Sequence, residues 1–290
     1  MHGFYLIDKP EWITSFWVLR ELRKKLGIKK MWHTGTLDPL ATGLLLVAVW
    51  SYTRLIPYFE KDTKTYTCTI WLDGESDSYD IDTPVRYISE EKKSEITNTL
   101  TQESLQKILE ENFLWEIQQI PPKYSALKIN GKKAVDLVRE GKEVIMKKRK
   151  ASIYDIKILS FSFPDVELEI SVSAGTYIRS IAADLWSIVW WGGYIKILRR
   201  VKVWKLDVKH AQTLDWFDAA KTVSVSDLFG GDSMIEFDDN MIRRLGDWLT
   251  TRGSFDLEIN KDYFVKNWDF ITNVVRYNWS ELIPVKKLAI

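Results

Sequence analysis

An unbroken apolar run, Leu44-Leu45-Leu46-Val47-Ala48-Val49, follows directly on a loop of small, turn-forming and polar residues, His33-Thr34-Gly35-Thr36-Leu37-Asp38-Pro39-Leu40-Ala41-Thr42-Gly43. A short continuous apolar run behind a glycine predicts a buried strand. It is far short of the roughly 18 residues that a membrane span requires. Phe4 to Ile7 predicts a strand that turns at Asp8-Lys9-Pro10, and Thr14-Ser15 offers an N-cap for a helix over Phe16 to Leu26, stopped by Gly27. Tyr66 to Leu72 alternates as a strand does. Ser152 to Phe163 and Val166 to Ala174 predict paired strands around Pro164-Asp165. Thr101 to Asn112, Lys132 to Arg139, Tyr177 to Ile188 and Tyr194 to Arg200 predict helices, and Asp215 to Ser226 a short helix and linker. Strands and helices mix without a repeated strand–helix alternation, which predicts an α+β fold.

The chain has 290 residues, 46% hydrophobic and 28% charged, which excludes wholesale disorder. One cysteine, Cys68, excludes an internal disulfide and a cysteine-built zinc site. His2, His33 and His210 make no metal-ligand spacing. The N-terminus lacks a signal-peptide pattern, and with the cysteine and histidine counts a soluble, cytoplasmic protein without a structural metal is expected. The net charge of +1 conceals a pattern: residues 1–60 carry +3, 61–120 carry −7, 121–210 carry +9 and 211–290 carry −4. The basic stretch includes Lys147-Lys148-Arg149-Lys150 and Arg199-Arg200, as a polyphosphate ligand would select. A solvated face with scattered lysines fits the charge equally well.

In the His33–Gly43 segment, Gly35 and Gly43 permit close backbone approach and Pro39 stiffens the loop behind the one carboxylate, Asp38. Taken alone, Asp38 could equally cap the following backbone. The segment, with Ile7-Asp8-Lys9-Pro10 and Thr14-Ser15, resembles the bacterial tRNA pseudouridine-55 synthases, the TruB family of pseudouridine synthases. Further stretches resemble the same family: Lys64-Thr65-Tyr66, Ser76-Asp77-Ser78-Tyr79-Asp80, Gln119 to Lys128 with Gly131, Gly175-Thr176-Tyr177-Ile178-Arg179-Ser180 with Asp184-Leu185, and Leu198-Arg199-Arg200.

The resemblance implies a pseudouridine synthase fold over 1–212, with a mixed, largely antiparallel sheet flanked by helices and a tRNA-gripping insertion at about 123–150. A linker at 213–231 would lead to a small β-rich PUA-like module at 232–290, where Ile283-Pro284-Val285-Lys286-Lys287 resembles the closing segment. The implied reaction detaches a uridine base from C1′, turns it over and rejoins it through C5, with no cofactor. Asp38 would be the essential carboxylate, Arg179 its cationic partner, and Tyr66 the ring stacked on the flipped uracil. His33 would fill the vacated stack, and Lys9 and Pro10 would brace the loop, an exposed turn lysine being the bland alternative. Thr36, Tyr177 and Lys128 would join the substrate contacts, and Arg199 and Arg200 would neutralise phosphates of the T-stem and loop. The implied partner is tRNA alone, met by a monomer with no membrane and no protein partner. A guide-RNA-dependent relative acting on ribosomal RNA is a second reading, which Leu40-Ala41-Thr42 and the long insertion disfavour. A non-catalytic tRNA-binding or tRNA-folding protein is a third.

Tryptophan and glycine are equally numerous, at 14 each. Trp12, Trp32, Trp50, Trp71, Trp115, Trp186, Trp190 and Trp204 stand where the family pattern calls for glycine, and Trp248, Trp268 and Trp279 fall in similar turn contexts; Trp17, Trp191 and Trp216 are less clear. The one-directional pattern reads as UGA codons that the source organism decodes as glycine, and a drifted Trp-rich protein is the alternative. It predicts tryptophans at positive φ, exposed or crowded, with Trp32 crowding the loop at His33. Thr83 also replaces a family glycine, and Val135 stands where an aromatic is usual.

Overall fold

A computed structural model describes residues 3–59, 63–189, 192–253, 255–267 and 270–288. The elements run β1 (Gly3–Lys9), α1 (Ser15–Leu26), β2 (Met31–His33), β3 (Thr42–Val49), β4 (Lys64–Trp71), β5 (Gly74–Ser76), β6 (Val85–Tyr87), α2 (Glu90–Thr99), α3 (Gln102–Phe113), β7 (Trp115–Gln119), β8 (Lys128–Ile129), β9 (Lys132–Lys133), α4 (Ala134–Arg139), β10 (Arg149–Ser162), β11 (Asp165–Val172), α5 (Ile178–Val189) and β12 (Tyr194–Val203). After β13 (Leu206–Asp207) come α6 (Val225–Phe229), β14 (Met234–Glu236), α7 (Asp239–Gly246), β15 (Thr251–Arg252), β16 (Asp262–Asn267), β17 (Phe270–Asn278) and β18 (Glu281–Lys287). The fold is α+β, as the mixed pattern predicts.

The chain forms two compact units. One comprises 1–38, 44–60 and 205–290, the other 39–43 and 61–204. In the first, Thr14 caps α1 by accepting from the Trp17 amide, and Gly27 ends the helix at φ 67. The apolar face of α1 (Val18, Leu19, Leu22) buries against Tyr5 and Ile7 of β1 and Leu45, Val47 and Val49 of β3. The tail forms its own sheet in the order β14-β16-β17-β18-β15, with α7 packed through Leu245 on Tyr263, Val265 and Val275. It does not stand apart behind a linker. Phe59 and Phe229 lie 5.1 Å apart, Phe229 stacks on Phe264 at 3.9 Å, and the Tyr52 hydroxyl accepts from the Ile271 amide at 2.9 Å. Aromatic burial thus joins the tail to the 50–59 segment, a tertiary outcome that composition did not reveal.

The second unit is built on the strand order β12-β4-β11-β10-β7. β10 and β11 pair antiparallel, as their alternation predicts. Gln106 of α3 covers part of the outer edge of β10, donating to the Ile156 carbonyl and accepting from the Ile158 amide. Tyr194 to Arg200, expected as a helix, is the strand β12. It lies between β4 and the first residues of β3, with Arg200 facing Tyr66 on one side and Gly43 on the other. Long-range pairing overrides a local pattern that fits either structure. The 123–150 insertion carries a two-residue hairpin at Asn130 (φ 50) and Gly131 (φ 86), which exposes Lys128, Lys132 and Lys133 ahead of α4.

Nine non-glycine residues among those described have positive φ, and six are tryptophans: Trp12, Trp50, Trp115, Trp204, Trp248 and Trp279, at φ 53 to 71. All six are exposed, from 36% at Trp204 to 78% at Trp279. Trp17, Trp32, Trp71 and Trp216 lack positive φ. Trp71 is half-buried and well used, donating Nε1 to Asp165 and lying under the Lys196 ammonium at 3.7 Å. Trp186 lies within α5. Trp190, Trp191 and Trp268 lie outside the described residues.

Candidate active site

The loop after β2 is tied down ahead of its carboxylate. The Ser15 hydroxyl donates to the Leu37 carbonyl at 3.1 Å and accepts from the Leu37 amide at 2.9 Å. Ser15, read as part of the helix cap, is therefore the tether that holds the residue before Asp38. The Thr34 amide donates to the Leu46 carbonyl at 3.0 Å. Leu37, Leu40 and Ala41 are buried, Thr36 and Pro39 exposed, and Asp38 half-buried. Apolar anchors on either side leave a carboxylate between them in a fixed pose, partly open to solvent.

Lys9 is fully buried, not an exposed turn lysine. Its ammonium donates to the Pro10 carbonyl at 2.8 Å and the Ile13 carbonyl at 2.7 Å, fixing the 10–13 turn, while Pro10 itself is exposed. His33 is buried, and the Trp32 ring stacks on it at 5.3 Å and 19°. The indole thus covers the His33 ring by ordinary stacking and does not crowd the loop.

In the other unit, Tyr66 lies on β4, with Ile170 opposite on β11 and Arg200 opposite on β12. Tyr66 is nearly buried and Arg200 is 1% exposed. Arg200 therefore does not reach a phosphate on the surface; the expectation that it would is corrected. A sheet-centre register puts its side chain on the face that Tyr66 occupies. Arg199 is half-buried and its guanidinium donates to the Thr42 hydroxyl at 3.3 Å. Lys128 is exposed on the hairpin.

Arg179 stands in the first turn of α5. Its guanidinium meets the Asp80 carboxylate at 3.3 Å and donates to the Ser78 and Tyr124 carbonyls at 3.1 Å each. Asp80 is in turn held by the Ser78 hydroxyl at 2.6 Å and the Asp82 amide at 2.9 Å. Thr83, where the family pattern has glycine, accepts from the Ser78 amide at 3.0 Å and so joins this network. Tyr177, half-buried, is fixed through its backbone by Gln119, which accepts from its amide at 2.8 Å and donates to its carbonyl at 3.0 Å. Sequence reasoning assigned no role to Asp80 or Gln119. Both lie in stretches that resemble the family, Ser76 to Asp80 and Gln119 to Lys128, and that resemblance was the available signal.

Burial pushes the Asp184 carboxyl up to about 6, with Lys148 pulling it the other way. It lines a cleft of about 580 Å³ together with Tyr79, Arg86, Lys123 and Tyr124. Among the described residues no three His, Cys, Asp or Glu side chains gather as a metal site, and no helix is long and apolar enough to cross a membrane.

The family model described as TruB family pseudouridylate synthase, N-terminal domain, matches residues 23–178. The chain belongs to the TruB family of pseudouridylate synthases. Among TruB relatives, the tRNA pseudouridine synthase B of Endomicrobium trichonymphae is 41% identical over 223 residues, 76% of this chain and 93% of that protein. That of Aquifex aeolicus is 39% identical over 219 residues, covering 75% of this chain and 74% of that protein. The fold is shared with a chain of an H/ACA RNP bound to a substrate RNA containing 2′-deoxyuridine, at TM-score 0.70 and 17% identity over 99% of this chain and 85% of that one. This TruB chain is thus an isomerase of the pseudouridine synthase class.

Proposed function

We propose that this enzyme converts uridine 55 in the T-loop of tRNA to pseudouridine, as a single cytoplasmic chain without guide RNA or cofactor. One observation carries the assignment of Asp38. It immediately precedes residues 39–43, which end on Gly43 opposite Arg200, and Arg200 lies opposite Tyr66 in the same sheet. The relatives at 39% and 41% identity act, by name, on tRNA.

In the reaction the C1′–N1 bond breaks, the uracil turns over, C5 bonds to C1′, and the proton lost from C5 is balanced by one gained at N1. Asp38 in its ionised form acts at C1′ or assists glycosidic cleavage. Arg179, held by Asp80, is the cationic residue that the family resemblance assigns to this reaction. Tyr66 stacks on the base near C5. Extruding the uridine from a folded loop costs a few kcal/mol of unstacking, which His33 offsets by filling the vacated stack. Lys9 and Pro10 brace the loop. Thr36, Tyr177, Lys128 and Arg199 contribute substrate contacts.

The test is unmodified tRNA transcript incubated with the protein and with Asp38→Asn, with no other RNA present, followed by pseudouridine mapping and a binding titration. The expected outcome is product at position 55 for the parent and none for the variant, with tRNA affinity retained. Product at another position overturns the specificity. Product only on adding a guide RNA favours the ribonucleoprotein reading, and binding without product by the parent favours a binding protein.

A further inference from the structure

Between Arg20 and Lys30 the chain carries six cations, Arg20, Arg23, Lys24, Lys25, Lys29 and Lys30, against one carboxylate, Glu21. They occupy the second half of α1 and the turn into β2, immediately ahead of the His33–Gly43 loop. All but Arg23 are exposed.

Part of this charge has a local explanation. Cations in a last helical turn complement the helix dipole, and Arg23, Lys24 and Lys25 form that turn. Arg23 also ties the turn to β2, donating to the Lys29 carbonyl at 3.1 Å and the Met31 carbonyl at 3.5 Å. Lys24 and Arg20 lean on Glu21 at 2.8 and 3.8 Å. The remainder is unexplained by the fold. Lys29 and Lys30 lie beyond Gly27, where α1 has ended, so the dipole does not call for them. Lys25, Lys29 and Lys30 have no carboxylate partner among the described residues. Three like charges within six residues repel one another, and an exposed, unpaired cluster is the form in which lysines meet a polyanion.

We infer that the end of α1 and the α1–β2 turn form a docking surface for the phosphodiester backbone of the substrate RNA, with Lys25, Lys29 and Lys30 as the contacts. The inference rests on the reading that the substrate is RNA. It assigns the binding charge in this unit to a place outside the 123–150 insertion. These lysines read no base. They set where the strand lies, and so act on affinity and its salt dependence, not on chemistry.

The experiment compares the parent chain with the triple variant Lys25→Gln/Lys29→Gln/Lys30→Gln, and with a control of equal charge change, Lys92→Gln/Lys107→Gln/Lys261→Gln. The control lysines are each paired with a carboxylate, Glu95, Glu111 and Glu258. The probe is unmodified tRNA transcript, titrated across a salt series. Neutralising three phosphate contacts lowers the slope of log K against log salt by about 2 and weakens binding about tenfold or more at moderate salt. In turnover assays KM rises by a similar factor and kcat at saturating tRNA stays within about twofold. An unchanged slope in the triple variant overturns the inference and leaves an acidic protein as the partner for this surface. An equal loss in the control also overturns it, because net charge alone then governs binding. A parent chain that binds tRNA but forms no pseudouridine sinks the proposed reaction and leaves the slope result standing.

Discussion

The guanidinium of Arg179 and the carboxylate of Asp80 meet at 3.3 Å although 99 residues separate them in the chain, and both side chains are only 4% exposed. Removing one partner of a buried ion pair strands the other charge in a low-dielectric site. Asp80→Ala is expected to cost about 3–5 kcal/mol in denaturant unfolding. Arg179→Lys is not a mild change here, because one ammonium cannot serve Asp80, Ser78 and Tyr124 in the planar fork that the guanidinium provides. Its activity is expected to fall far more than its melting temperature.

Gly43 has no room for a side chain. An added Cβ would stand 2.3 Å from the Arg200 carbonyl oxygen, at φ +99. Gly27, at φ +67, has open space around it. Gly43→Ala is therefore expected to destabilise the protein by several kcal/mol, against about 1 kcal/mol for Gly27→Ala. Thermal melts of the two variants side by side check this, and equal losses would remove the close-approach argument.

Six exposed indoles sit in the left-handed region that glycine occupies without cost. Restoring glycine at Trp12, Trp50, Trp115, Trp204, Trp248 or Trp279 is expected to raise stability by about 1 kcal/mol each. Trp71→Gly should do the opposite, because it removes the contacts to Asp165 and Lys196. Trp32→Gly is expected to uncover the His33 ring and to increase turnover on tRNA. The codons decide the origin: UGA at these positions supports glycine in the natural chain, and UGG ends that reading.

The Asp184 carboxyl, raised from its ordinary value to about 6, holds its proton more readily in the folded than in the unfolded chain. Between about pH 4 and 6 the native state thus binds more protons, and stability falls as pH rises through that window and levels off above it. Asp184→Asn carries no such dependence. The stability difference in favour of Asn should open between pH 4 and 6 and stay near 1 kcal/mol at pH 7, the cleft's solvent access having reduced it. Urea titrations at several pH values measure it, and a constant difference across pH would refute the burial argument.

Local chemistry was enough to mark the α1 caps at Thr14 and Gly27, the β10–β11 pair and the loop around Asp38, because each depends on residues close together in the chain. Only the folded molecule decided that 194–200 is a strand, that Lys9 and Arg200 are buried cations, that Ser15 tethers Leu37, and that Asp80 and Gln119 anchor the segment around Arg179. Those outcomes come from hydrogen bonds and burial between residues distant in sequence, or from the space left at a given site. No local pattern of hydrophobicity or charge encodes them.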